Sequence, residues 1–141
     1  MMLASNLDQT MMDVDAAVQA LKAHGGKVGV IGFCWGGGLA IRSAQVLDVA
    51  AVVVFYGTRL QNYQIAPLKA PVQGHWGTED SHAPAETLEA MQAYFPEMEI
   101  FNYEGAGHAF ANDARSNDYM ADAAGVAHAR AEEFLARHVA N

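Results

Sequence analysis

Apolar residues recur along the chain at two spacings, one helical and one typical of strands. Apolar positions three and four residues apart predict a helix over about Thr10–Ala23. Thr10 followed by Asp13 resembles a capping box, and Gly25 with Gly26 is expected to end the helix. The residues predicted to share its apolar face are Val14, Ala17, Val18 and Leu21.

Short apolar runs between the helical patterns predict strands. The unbroken, β-branched run Ala50–Tyr56 is typical of a strand that is covered on both faces. The other predicted strands are Lys27–Phe33, Pro71–Trp76 and Met98–Tyr103. Alternation of helices and strands predicts an α/β fold with three layers and a mostly parallel sheet of about four strands.

Three further helices are expected between and after these strands. One is Cys34–Leu47, which begins with a glycine-rich turn. Another starts at Pro84 and runs to about Phe95, and its predicted inward-facing residues are Leu88, Met91 and Phe95. A last helix, capped by Ser116 or Asn117, is expected to reach about His138. Its predicted inner residues are Ala123, Val126, Ala127 and Phe134.

Chemistry is expected in the loops that follow the strands, because ligands of open α/β sheets bind beyond the carboxyl ends of the strands. Those loops are Phe33–Gly38, Gly57–Gln64, Gly77–Pro84 and Gly105–Ser116.

Composition narrows the class of protein. The length of 141 residues, 52% of them hydrophobic, predicts one folded domain over residues 1–141. The net charge of −8 argues against nucleic acid and anionic membranes as partners, because both need a basic surface.

The single cysteine excludes an intrachain disulfide, and no apolar run is long enough for a bilayer span. A free thiol and no visible secretory signal favour the cytoplasm.

The segment Gly32–Gly37 has the pattern of a nucleophile elbow, G-x-S-x-G, with Cys34 in the serine position. The nucleophile sits on a strained turn, and small residues two positions to either side let the strand and the helix approach each other. The turn points the backbone N–H of Trp35 at a developing oxyanion, and the helix N-terminus favours the thiolate. The alternative is that Cys34 is only a small apolar residue at a tight turn.

An acid and then a histidine are expected downstream of the nucleophile. Asp80 follows the third predicted strand, and His108 follows the fourth within a glycine-rich loop. His108 is predicted to be the base and Asp80 the residue that orients it. The alternatives are that Asp80 only caps a turn, with Glu79 as its rival, and that His108 is an ordinary surface histidine.

The other histidines are expected in loops or at helix ends without a partner: His24, His75, His82, His128 and His138. His75 and His82 have a spacing that could serve a metal, but no third ligand is indicated. We therefore do not expect this pair to bind a metal.

Four motifs together resemble the dienelactone hydrolase family of α/β-hydrolases. They are Lys27–Gly37, Val54–Gly57, Gly77–Asp80 with Pro84, and Tyr103–Phe110. The resemblance implies the C-terminal half of an α/β-hydrolase fold and a triad of Cys34, Asp80 and His108. It also implies hydrolysis of an ester or lactone through a thioacyl-enzyme, without a metal or an organic cofactor. Positions implied or suggested for substrate binding are Tyr56, Arg59, Phe110 and Asn112.

The chain departs from the family pattern in three places, one of which is the large side chain of Trp35 directly after the nucleophile. Family members carry earlier strands that usually supply a second oxyanion donor, so we expect a truncated domain whose first strand, Lys27–Phe33, has an exposed edge. A homo-oligomer that covers this edge is expected. Asn112 stands where the family enzyme for dienelactone has an arginine that binds the substrate carboxylate, and Arg59 or Arg115 could replace it.

Two other functions stay open at this point. Loss of the earlier strands could have left a weakly active or inactive domain that serves binding or assembly. An exposed, activated thiol is also prone to oxidation, so a redox-sensitive protein is a third interpretation.

Overall fold

Within residues 5–140, four strands alternate with four long helices. The computed structural model describes residues 5–140. In chain order the elements are α1 (Ser5–Lys22), β1 (Gly29–Phe33), α2 (Trp35–Val46), β2 (Ala51–Phe55), a 3-10 helix (Leu60–Tyr63), β3 (Val72–Gly77), α3 (Ala85–Tyr94), β4 (Glu99–Tyr103) and α4 (Ala121–Val139).

The strands form one parallel sheet in the order β1-β2-β3-β4. Phe33, Phe55, His75 and Phe101 are in register, so one row of rings crosses all four strands. The centroids of neighbouring rings in this row lie 4.9, 4.8 and 5.6 Å apart. The predicted parallel sheet of about four strands is confirmed.

Helices cover both faces of the sheet. A Cβ at Gly29 would meet Leu135 and Val139 of α4, whereas a Cβ at Gly32 would meet Ala40 of α2. Residues three apart on a strand point to opposite faces, so α2 and α4 lie on opposite sides. Because α1 packs against α2, it lies on the α2 side, and the three predicted layers are present.

Burial differs sharply between the strands. Every residue of β2 is buried, as its β-branched run predicts. In contrast, β1 pairs with β2 alone among the described strands, and it leaves Ile31 45% exposed and Phe33 41% exposed. The first strand therefore has the open, apolar edge that the sequence predicts.

The start of α1 was predicted wrongly. The helix already includes Ser5, so Thr10 lies inside it, and the Thr10 hydroxyl donates to the carbonyl of Asn6 instead of capping an end. Val14 and Val18 turn inward as predicted, with Val18 fully buried. The other two members of the predicted face, Ala17 and Leu21, are exposed.

The start of α4 was also predicted too early. Residues 112–119 form successive turns, in which the N–H of Asp118 donates to Arg115, and the N–H of Met120 donates to Phe110 before α4 begins. Neither Ser116 nor Asn117 caps the helix. Of its predicted inner residues, Ala123, Ala127 and Phe134 are buried, whereas Val126 is 46% exposed. Ala124 and Ala131 complete the buried face instead.

Candidate active site

Cys34 occupies a strained turn between β1 and α2. Its backbone has φ 59° and ψ −123°, a left-handed region that a non-glycine residue enters at a cost. Hydrogen bonds hold it there: its N–H donates to Phe55, and its carbonyl accepts from Gly37 and Thr58. The surrounding structure thus fixes the direction in which the thiol projects.

The glycines of this turn have different roles. A Cβ at Gly32 would overlap the carbonyl of Gly36, and a Cβ at Gly37 would crowd the backbone of Gly57. At Gly36 there is open space. Small residues two positions to either side of Cys34 were expected to prevent a clash between the strand and the helix. This expectation is correct for Gly32 and wrong for Gly36. On the helix side, the residue that must be small is Gly37.

The structure brings Cys34, His108 and Asp80 together. His108 Nε2 lies 3.0 Å from Cys34 Sγ, and His108 Nδ1 lies 3.0 Å from Asp80 Oδ2. Because a carboxylate only accepts hydrogen bonds, Nδ1 carries the proton and Nε2 faces the sulfur as an acceptor. The arrangement can take a proton from the thiol and hold the resulting imidazolium against a carboxylate.

Asp80, and not its rival Glu79, faces the histidine. Asp80 is buried, and its second oxygen accepts from the N–H of His82. Glu79 is exposed and contributes its backbone N–H to the carbonyl of Ala106. Both oxygens of Asp80 are therefore engaged, which fixes the plane of the carboxylate.

His82 was expected to lack a partner, but it packs on His108. The two ring centroids lie 4.5 Å apart. The signal that could have shown this is proximity in sequence, since His82 follows Asp80 by two residues in the same loop.

Tyr56 forms a buried wall beside the thiol. It follows β2 with φ 40°, and its ring meets His108 edge-on at 5.4 Å and Phe110 at 5.5 Å. Burial and the nearby Cys34 raise the pKa of Tyr56 to about 12, and Arg115 opposes this shift. The phenol therefore stays protonated and can donate a hydrogen bond at neutral pH.

Two cavities flank Cys34. The first has a volume of about 340 Å³ and is lined by Cys34, Trp35, Thr58, Arg59, His82 and His108. The second has about 370 Å³ and is lined by Phe33, Cys34, Tyr56, Ala109, Ala111, Asn112, Asp113, Arg115 and His128. The nucleophile is thus accessible from two sides.

The residues predicted to bind substrate divide between these cavities. Arg59 lies at the first, while Tyr56 and Asn112 lie at the second, together with Arg115. Arg115 forms an ion pair with Asp118. Phe110 is fully buried beneath Tyr56, so the structure places it behind the cavity wall.

His75 lies in β3, within the predicted strand Pro71–Trp76, and is fully buried, but it does not lack a partner as expected. Gln73 donates to Glu99 and so offers its carbonyl oxygen to Nε2–H of His75. Nδ1 accepts from the hydroxyl of Tyr103, which itself accepts from Arg130. Both ring nitrogens are occupied by protein partners, which leaves neither for a metal shared with His82.

The environment of His75 keeps it neutral. Burial, followed by the charges of Arg130 and His128, lowers the pKa of His75 to about 4. His128 was expected to lack a partner, but it packs on Phe55 from within α4. His75 therefore has a structural role within the sheet. Nothing in the sequence pattern indicated this role.

Within residues 5–140, no group of three or more His, Cys, Asp or Glu converges as a metal site. In the same part of the chain, no helix combines the length and apolarity that a bilayer crossing requires.

Comparison with known proteins decides the family. The model of the dienelactone hydrolase family matches residues 1–139. The chain belongs to the dienelactone hydrolase family. Two curated relatives, the carboxymethylenebutenolidases of Pseudomonas putida and Pseudomonas knackmussii, are each 33% identical to this chain over 94% of its length. The alignment covers 59% of each of these relatives, so this dienelactone hydrolase family chain spans about three fifths of their length.

Solved structures agree with the family. A candidate dienelactone hydrolase from Klebsiella pneumoniae superposes with a TM-score of 0.85 and 27% identity, covering 94% of this chain and 62% of that chain. An esterase of Pyrococcus furiosus superposes with a TM-score of 0.68 and 20% identity, covering 97% and 65% of the two chains. At 20% identity, the similarity to the esterase shows only that the two proteins share a fold. The fold is that of the α/β-hydrolases.

Proposed function

We propose that the protein hydrolyses a small carboxylic ester or lactone through Cys34, with His108 as the base and Asp80 as its orienting partner. The observation that carries this proposal is the line of contacts from sulfur to imidazole to carboxylate, with 3.0 Å at each step. Membership of the dienelactone hydrolase family supports the reaction class, and the Pseudomonas relatives are named carboxymethylenebutenolidases.

The first half of the reaction forms a thioacyl-enzyme. His108 Nε2 takes the thiol proton, and the sulfur of Cys34 attacks the carbonyl carbon of the substrate. The carbonyl electrons move to oxygen, which the backbone N–H of Trp35 stabilises. That N–H lies in the first turn of α2, where amides lack a helical partner. When the carbonyl re-forms, the C–O bond breaks and the imidazolium protonates the leaving oxygen.

The second half restores the enzyme. His108 takes a proton from water, and the hydroxide attacks the thioester carbonyl. The C–S bond breaks, the acid is released, and the imidazolium returns its proton to Cys34. Asp80 stabilises the charged ring in both halves. These steps need only protein groups and water, so the proposal includes no metal and no organic cofactor.

The two cavities suggest how the substrate lies. The leaving oxygen must be within reach of His108 Nε2, and His108 lines the first cavity. The acyl group then extends into the second cavity, beside Tyr56 and Asn112. Volumes of about 340 and 370 Å³ favour a compact substrate over a long-chain ester. Arg59 and Arg115 are the cations that could attract an acidic substrate on the two sides.

We further propose that copies of the chain associate through the open edge of β1. The edge carries unpaired backbone groups, and the exposed Ile31 and Phe33 make it apolar. Light scattering at micromolar concentration should give a mass above 15.1 kDa, the mass of one chain. A monomeric mass would contradict this association.

We also propose that the protein is cytoplasmic, because the Cys34 thiol stays reduced in that compartment.

The function is tested with a chromogenic short-chain ester, comparing the wild type with Cys34→Ala. Circular dichroism confirms that the variant is folded. We expect the variant to lose roughly 1,000-fold or more in kcat/KM, because removal of the nucleophile leaves only binding and the oxyanion donor. Equal rates would contradict the enzyme proposal and favour a binding module. Reversible inactivation by peroxide in a protein without esterase activity would favour the redox interpretation.

A further inference from the structure

Asp80 and His108 lie on separate loops that hydrogen bonds join directly. The Asp80 loop leaves β3 after Gly77, and the His108 loop leaves the neighbouring strand β4 after Tyr103. The N–H of Thr78 donates to the carbonyl of Tyr103 at 3.0 Å. The N–H of Glu79 donates to the carbonyl of Ala106 at 2.8 Å. The backbone thus extends the pairing of the two strands beyond the sheet.

One side chain adds a third connection between these loops. The hydroxyl oxygen of Thr78 accepts a hydrogen bond from the N–H of Gly105 at 2.9 Å. Gly105 has φ 78°, a left-handed conformation, and is the third residue of a turn that the N–H of Ala106 closes on the carbonyl of Tyr103. Thr78 therefore holds this turn at Gly105, three positions before the histidine.

Space at this junction is tight. A Cβ at Gly77 would overlap the carbonyl of Ala106, so the two loops approach each other as closely as backbone allows. Asp80 is buried two residues after Thr78, and its contact with His108 spans the same junction. A change in the separation of the loops would be transmitted to that contact, because Asp80 and His108 each lie on one of the two loops.

We propose that Thr78 is a positioning residue for the hydrolysis, and that its hydroxyl sets the distance between Asp80 and His108. The inference rests on the proposed function of Cys34. Thr78 is exposed and touches neither Cys34 nor His108 through its side chain, so it acts only through the turn that it holds. Ångström-scale displacement of catalytic groups can lower rates by about 100-fold, and loss of one hydrogen bond is expected to do less.

The test compares Thr78→Val, which keeps the shape and removes the hydroxyl, with Thr78→Ser, which keeps the hydroxyl. We expect Thr78→Val to lower kcat by about 10-fold with KM nearly unchanged, and Thr78→Ser to stay within about 2-fold of the wild type. The matched control is Thr10→Val, which removes a similar side chain–backbone hydrogen bond in α1, far from the site. This control should leave kcat unchanged.

A second readout does not need turnover. Alkylation of Cys34 by iodoacetamide across pH 5–9 reports how well His108 ionises the thiol. We expect Thr78→Val to be alkylated several-fold more slowly at pH 6 than the wild type, with convergence at high pH. An alkylation profile and kcat equal to those of the wild type would overturn the role of Thr78. Absence of esterase activity in the wild type would instead refute the proposed function, and the alkylation profile would still decide the role of Thr78.

Discussion

The sulfur of Cys34 lies 3.0 Å from Nε2 of His108, although 74 residues separate the two in sequence. The parallel sheet produces this contact, because Cys34 follows β1 and His108 follows β4, and the carboxyl ends of parallel strands share one edge. The same edge carries Asp80 after β3.

Replacement of His108 by Ala should lower kcat/KM at neutral pH by roughly 100- to 10,000-fold, because the thiol then has no base. His82→Ala is the matched control. It removes the ring that packs on His108 at 4.5 Å but no group in the line from sulfur to carboxylate. We expect kcat/KM of the control to fall by less than about 10-fold, because His82 only packs against the base. Retained esterase activity in His108→Ala would reject the assigned base.

Replacement of Asp80 by Asn should preserve the shape of the site and still lower kcat by roughly 100- to 10,000-fold, because an amide no longer stabilises the imidazolium. Glu79→Gln removes the neighbouring carboxylate, which is exposed. Steady-state kinetics of both variants should show a lower kcat for Asp80→Asn and an unchanged kcat for Glu79→Gln. A comparable loss in Glu79→Gln would indicate that the carboxylate has been assigned to the wrong residue.

The fold and the residues of the candidate site could be predicted because they follow from local patterns. The β-branched run of β2, the glycine-rich turn around Cys34 and the order of acid and histidine each have a direct physical meaning. Helix ends were less predictable. Thr10 has the chemistry of a cap, but earlier residues continue the helix and its hydroxyl bonds within it.

The side-chain network around His75 could not be predicted. Its partners Gln73, Tyr103 and Arg130 come from three different elements, and only the register of β3 with β4 and the packing of α4 bring them together. The predicted strand Pro71–Trp76 includes His75, but nothing in the sequence pattern indicates what its ring contacts. The structure shows that the ring lies in the row of rings across the sheet.

The two glycines of the elbow pattern should respond differently to Ala. Gly32→Ala forces a methyl group into the carbonyl of Gly36 and should lower the free energy of unfolding by about 3 kcal/mol, or prevent folding. Gly36→Ala enters open space near the start of α2 and should be neutral or stabilise by up to about 1 kcal/mol. Urea unfolding measures both, and equal destabilisation would contradict the packing at Gly32.

Stability should fall in acid partly because of His75. Its pKa is about 4 in the folded protein, below the ordinary value of 6.5, so the unfolded chain binds more protons between these values. The stabilisation is complete above pH 6.5 and is lost as the pH falls towards 4. Between pH 7.5 and 4.5 this group should contribute a loss on the order of 2 kcal/mol in the free energy of unfolding.

His75→Gln isolates this contribution, because it removes the titrating ring and keeps a polar side chain. The variant will be less stable at neutral pH, but its free energy of unfolding should depend less steeply on pH between 4.5 and 7.5. Urea titrations at both pH values measure the difference. An equally steep dependence in the variant would show that His75 does not stay neutral in the folded protein.

Trapping of the thioacyl-enzyme tests the central claim most directly. The wild type is mixed with a short-chain ester in excess, quenched in acid within the first turnovers, digested and analysed by mass spectrometry. We predict that the peptide containing Cys34 gains the mass of the acyl group, and that Cys34→Ala gains none under the same conditions. Hydrolysis by the wild type without an acyl group on Cys34, or with the acyl group on another residue, would contradict the account.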